Sequence, residues 1–183
     1  MRLHSWYNQQ AIDLLNEGGV VCGPTDTVYG LLAKASEKTA VARIYDIKKR
    51  DLNKSLIVLI SELSQLGDFG VSESDMQKAS LYWPARISLI LDAPKAETYL
   101  TKGKSNLAFR LPDSKMLRKL IISTGPLVAP SANPEGQPPA LNRVQAQKYF
   151  ETRVDHYVGN NSLVSDQSSA ILDLGKDAVR QVR

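Results

Sequence analysis

Two kinds of apolar segment alternate along this chain: stretches with hydrophobic residues at helical spacing, and short runs that are apolar almost throughout. Ser5 is placed to cap a first helix whose Ile12, Leu14 and Leu15 face a core, and Gly18–Gly19 ends it. Val20–Cys22 then reads as a buried strand. A second helix is expected over 37–49, with Ala40, Val41, Ile44 and Ile47 on one face. "SLIVLI" (55–60) is too short and too apolar for a surface helix and predicts a strand. Ser72 and Asp75 have capping-box spacing, and the helix they start has to end before Pro84. "ISLILDA" (87–93) and "LAFRL" (107–111) predict strands. Asp113 caps a helix bearing Met116, Leu117, Leu120 and Ile121, and "PLVAPSAN" (126–133) is a short strand ending in a polar loop. A helix from Asn142 to Phe150 and strands in "AILDL" and "AVRQV" close the pattern. The expectation is a single α/β domain over residues 1–183, with an open mixed sheet and flanking helices. Antiparallel pairing is expected because several strands lack an intervening helix.

Composition changes this picture little. The 183 residues are 43% hydrophobic and 23% charged, ordinary globular usage. "MRLHSWYNQQ" has no apolar core of a signal peptide, and no apolar run is long enough for a membrane span. The single cysteine, Cys22, excludes an internal disulfide, and no Cys/His cluster has zinc spacing, so no metal site is expected. A cytoplasmic protein is the simplest reading. A net charge of +4 suits anionic partners such as nucleotides or RNA, and equally a basic surface kept for solubility.

Common catalytic templates are missing. There is neither a G-x-x-x-x-G-K-[ST] phosphate loop nor a G-x-G-x-x-G fingerprint. His4 and His156 lie in contexts that favour no acid–base role, and Cys22 reads as core packing. Four polar segments carry the remaining chemistry. In "PTDTVYG" (24–30), four of the six residues from Thr25 to Gly30 bear side-chain oxygens, either a self-satisfied turn or a pocket at a strand end. In "IKKRDLNKS" (47–55), the macrodipole at a helix end explains Lys48 and Lys49. It does not explain Lys54, and converging cations suit a polyphosphate. Arg110 in "LAFRLP" shares a strand face with the small Ala108 and Pro112, leaving room for a ligand carboxylate, although a strand arginine can also face solvent. "APSANPEGQPP" offers Ser131 and Asn133 in what is otherwise a Pro-rich turn.

Taken together and in order, "GPTDTVYGL", "IKKRDLNKSLIVLI", "WPARISLIL", "LAFRLP", "PLVAPSANPEGQPP" and "SSAILD" resemble the YrdC-like threonylcarbamoyl-AMP synthases, from about residue 10 to 182. The resemblance implies a YrdC-like twisted sheet with a positively charged concave cavity. It implies a nucleotidyltransferase that joins L-threonine, bicarbonate or CO2, and ATP (with Mg2+) into threonylcarbamoyl-adenylate and pyrophosphate. That is the first step of tRNA t6A modification, and the adenylate passes to a separate tRNA threonylcarbamoyl-transfer complex. Short bacterial members of the family consist of this catalytic domain alone.

By resemblance, Thr27, Tyr29, Arg110 and Ser169 belong to the threonine side. Lys48, Arg50, Lys54, Asn106, Ser131, Asn133 and Arg180 belong to the ATP side, with Lys48 and Arg50 the catalytic pair that holds the phosphates. This chain departs from the family pattern at Ser55, at "WPAR", at Pro139 and at Ala170. Two other readings use the same residues: a non-enzymatic double-stranded RNA or tRNA binder of the same fold, and a paralogue that adenylates a different carbamate.

Overall fold

The computed structural model describes residues 7–160, 167–174 and 180–182. Its strands in chain order are β1 (Val21–Pro24), β2 (Tyr29–Lys34), β3 (Val58–Leu59), β4 (Ile87–Asp92), β5 (Asn106–Arg110), β6 (Leu127–Val128), β7 (His156–Tyr157), β8 (Ala170–Asp173) and β9 (Arg180–Gln181). The helices are α1 (Gln9–Asn16), α2 (Lys38–Lys48), α3 (Glu73–Ser80), α4 (Thr98–Thr101), α5 (Lys115–Thr124) and α6 (Arg143–Phe150). A 3-10 helix spans Leu63–Phe69. The strands form one mixed sheet in the order β7-β1-β2-β6-β3-β5-β4-β8-β9. No helix among the described residues is long and apolar enough to cross a membrane.

The expected mixed α/β sheet is therefore present, with differences in detail. The expected Ser5 cap lies outside the described residues, and α1 starts instead at Asn8, whose side chain accepts from the Ala11 N–H at 3.0 Å. Ser114, not Asp113, caps α5, accepting from the Leu117 N–H at 3.3 Å. Strand β2 has no counterpart in the sequence reading. It forms because Pro24 pairs with Tyr29 and Gly23 with Gly30, so the hydroxyl-rich loop between them closes a hairpin. The "SLIVLI" and "PLVAPSAN" strands shrink to Val58–Leu59 and Leu127–Val128, and residues 178–179 of "AVRQV" lie outside the described set.

Strand alternation distributes the core over two faces. Cys22, Leu31, Val58, Leu89, Leu107, Phe109 and Val128 point to one face and pack with Val41, Ile44 and Ile47 of α2, Ala79 of α3 and Phe150 of α6. Val21, Leu32, Leu59 and Leu127 point to the other, against Ala11 and Leu15 of α1 and Leu117, Leu120 and Ile121 of α5. Helices α1 and α5 thus cover the second face over β1, β2, β3 and β6. Further along that face, beyond α1 and α5, Ile90 of β4, Asn106, Ala108 and Arg110 of β5, and Ile171 of β8 line an open cleft. The cleft exists because the sheet is wider than the helical layer on that side.

Candidate functional site

The cleft has a volume of about 310 Å³ and takes its walls from distant parts of the chain. Alternation along β5 sends Leu107 and Phe109 into the core and Asn106, Ala108 and Arg110 into the floor. Thr27 enters from the β1–β2 hairpin, Arg50, Lys54 and Ser55 from the segment after α2, Ser131 from the exit of β6, and Ser168 and Ser169 from the start of β8. Among the described residues its charged lining is Arg50, Lys54, Lys104 and Arg110, all cationic.

The hairpin loop is held from within. Thr25 Oγ1 donates to the Val28 carbonyl at 2.6 Å, and the Thr27 N–H donates to Thr25 Oγ1 at 3.2 Å. Tyr7 clamps the strand from outside, donating to the Pro24 carbonyl at 2.7 Å. Thr25 therefore satisfies the turn, and the hydroxyl of Thr27, which lines the cleft, lies 3.1 Å from Thr25 Oγ1. Asp26 does not make a local turn bond. Its carboxylate lies 3.0 Å from Arg110 Nη2, and the two side chains are 3% and 4% exposed. Among the described residues no donor has hydrogen-bond geometry to either carboxylate oxygen, so the pair is held by charge and proximity. A buried guanidinium beside a cleft is thus electrically compensated from behind. Ser169 is buried as well, and its hydroxyl lies 3.0 Å from that of Ser88 on β4.

The basic segment is organised around the end of α2. Lys49 adopts a left-handed conformation (φ 51°), which terminates the helix and swings Arg50 toward the cleft. The Tyr45 hydroxyl donates to the Lys54 carbonyl at 2.9 Å and fixes the far end of the turn. Lys48 points the other way and is buried at 2% exposure. Its ammonium donates to the Ser131 carbonyl, to the Asn133 carbonyl at 2.5 Å and to Asn133 Oδ1 at 3.3 Å. Burial, with Arg50 nearby, lowers its pKa to about 8. The loop it holds is joined to β2 as well, through Leu31 N–H to Pro130 at 2.9 Å and Ala132 N–H to Tyr29 at 2.7 Å.

Of the residues singled out by sequence, Thr27, Arg50, Lys54, Asn106, Arg110, Ser131 and Ser169 come together in the cleft. Four do not line it. Lys48 lies behind the Ser131–Asn133 loop because its ammonium is taken up by that loop's carbonyls. Asn133 ties the same loop internally, accepting from Ser131 Oγ at 2.6 Å and donating to the Gln137 carbonyl at 2.5 Å. Tyr29 points into the core on the other side of β2, its hydroxyl shared between the Val158 and Asn160 carbonyls at 3.3 and 3.2 Å. Arg180 is exposed on β9, and Val182, just after that strand, is the residue that reaches the cleft. Sequence reasoning missed Lys104 and Ser168, both at the rim. The only signals for them were a lysine just before β5 and the first serine of "SSAILD".

His156 lies in β7, paired with Val21 at the far edge from the cleft, and His4 lies outside the described residues. Cys22 is fully buried, and burial pushes its thiol well above the usual range, as expected for packing. No group of three or more His, Cys, Asp or Glu among the described residues could hold a metal ion.

The chain is similar to the threonylcarbamoyl-AMP synthase of Bacillus subtilis, 41% identical over 173 residues, which cover 92% of this chain and 50% of that protein. It is similar to the threonylcarbamoyl-AMP synthase of Hahella chejuensis, 30% identical over 182 residues, covering 97% of this chain and 98% of that protein. Among solved structures, the crystal structure of P. abyssi Sua5 complexed with L-threonine superposes with a TM-score of 0.88 at 29% identity. The match covers 100% of this chain and 55% of that one. This chain thus spans about half the length of the Bacillus and P. abyssi proteins. The family model for Sua5/YciO/YrdC, described as "Telomere recombination", matches residues 13–183. The chain belongs to the Sua5/YciO/YrdC family.

Proposed function

We propose that this chain makes threonylcarbamoyl-adenylate and pyrophosphate from L-threonine, bicarbonate or CO2, and ATP. One observation carries the reading: the compensated guanidinium of Arg110, flanked by Thr27 and Ser169, shares a cleft with the cationic Arg50 and Lys54. The first group suits an amino-acid carboxylate and hydroxyl, the second a polyphosphate. The threonine amine adds to CO2 and loses a proton, giving a carbamate. A carbamate oxygen then bonds to the α-phosphorus in line, and the bond from that phosphorus to the bridging oxygen breaks, so pyrophosphate leaves with the electron pair. Mg2+ enters as the counter-ion of the nucleotide. The protein needs no nucleophile of its own; it positions the reactants and offsets charge on the phosphates. The product is an activated mixed anhydride, so the consuming reaction is acyl transfer to a nucleophile, here the tRNA adenosine of t6A in a separate transfer complex.

The test is incubation with ATP, Mg2+ and labelled bicarbonate, with and without threonine, and detection of a labelled adenylate by mass. A threonine-dependent product supports the reading. A threonine-independent product assigns the chain to a paralogue that adenylates another carbamate. Salt-sensitive RNA binding with no product makes it a binding protein.

A further inference from the structure

Glu135, in the loop that follows Ser131 and Asn133, has no part in the reaction as proposed, yet it is tied to the cationic turn by three bonds. Its N–H donates to the Lys48 carbonyl at 2.9 Å. Its Oε1 accepts from Lys54 Nζ at 2.5 Å, and its Oε2 accepts from the Asp51 N–H at 2.8 Å. Lys54 lines the cleft, while Glu135 and Asp51 do not. An ammonium and a backbone N–H from one turn, both directed at one pair of anionic oxygens, are the donors that a phosphate group takes. In this structure a carboxylate of the chain itself fills that position.

We propose that Glu135 is an internal anion that holds the Lys54–Asp51 donor pair in the nucleotide-free protein, and that the polyphosphate displaces it on binding. Glu135 thereby sets nucleotide affinity. The inference rests on the reading that the cleft binds ATP. Displacement is feasible because the pair is half-exposed, with side chains 55% and 32% accessible, and ion pairs of this kind are weak. A triphosphate brings several negative charges where Glu135 brings one. The Lys54 and Asp51 bonds, with Arg50 nearby, hold the Glu135 carboxyl below the usual carboxylate range, so the competitor is ionised at neutral pH.

The experiment compares calorimetric binding of ATP, inorganic tripolyphosphate and adenosine to the wild type and to Glu135→Gln. The amide oxygen of glutamine still accepts from the Asp51 N–H, so the turn is kept while the charge is removed. Glu135→Ser serves as a second variant, and a thermal melt confirms that each folds. The expected result is about two- to five-fold tighter binding of ATP and tripolyphosphate in both variants, with adenosine unaffected. Equal or weaker polyphosphate binding overturns the proposal and makes Glu135 a residue that orients Lys54. If the wild type makes the adenylate while the variants bind polyphosphate no tighter, only this inference fails. If the wild type binds no ATP, the functional reading fails with it.

Discussion

Asp26 and Arg110 meet 3.0 Å apart beneath the cleft, almost fully removed from water, although 84 residues separate them in sequence. Removing one member leaves a buried charge without its counter-ion, which typically destabilises by about 3–5 kcal/mol. Asp26→Asn is therefore expected to lower unfolding free energy by about that amount, and Asp26→Asn with Arg110→Met by less than the sum of the single changes. A denaturant double-mutant cycle reads the coupling. Strict additivity would show that the two side chains are neighbours without being partners.

Lys48 gives a pH signature whose sign is fixed. Its pKa falls from 10.5 to about 8 on folding, so between these values the unfolded chain holds a proton that the folded chain has lost. Stability from this group rises with pH across that window. Tyr29, Tyr45 and Tyr157, each pushed up by burial from 10.0 to about 12, act in the opposite sense. Their contribution is complete below pH 10 and is lost as pH climbs toward 12. Denaturation curves between pH 8 and 10 should thus show a rise in the wild type that Lys48→Met lacks, and curves from pH 10 to 12 a tyrosine decline common to both.

Arg50 and Lys48 should separate by the way they fail. Arg50 faces the cleft, so Arg50→Ala is expected to reduce kcat/KM by about 3 kcal/mol, as for loss of a preorganised donor. Lys48→Ala removes the brace under the 131–133 loop, and it should lower activity together with the hydrogen-exchange protection of that loop. Full loop protection in an inactive Lys48→Ala protein would return Lys48 to direct phosphate contact.

Gly159 sits at φ 91°, and a Cβ there would collide with the Tyr29 hydroxyl. Gly159→Ala should destabilise by about 1–3 kcal/mol through backbone strain and overpacking. Gly159→Ala combined with Tyr29→Phe should recover the overpacking part alone. Thermal melting of the two proteins measures the difference.

The parts of this fold that local rules govern were legible. Helix α2, the start of α6 at Asn142 and the Ser72 cap all follow from spacing and capping chemistry. Strand β2 was not, because Tyr29–Lys34 is buried on both faces and shows no alternation, so it reads as the tail of a polar turn. For Lys48 the sequence offers a helix-end cation or, by resemblance, a phosphate contact, and neither shows its acceptors, which lie more than 80 residues away. No local pattern announces a buried ammonium whose partners are distant carbonyls. Asp26 was ambiguous for the same reason. Arg110, by contrast, followed from alternation once β5 was recognised.

Strand β8 supplies Ile171 and the approach of Ser168 and Ser169, and Val182 follows β9; together they complete the cleft wall from the last part of the sequence. The hairpin with Thr27, the Arg50 turn and Arg110 are all made earlier. Chains emerge from the ribosome N-terminus first, at about 5–20 residues per second. A nascent chain therefore carries most of its cationic groups for several seconds before the cleft has its final side. Ligand affinity in a series of stalled nascent chains should therefore appear only once Ser168, Ser169, Ile171 and Val182 have emerged.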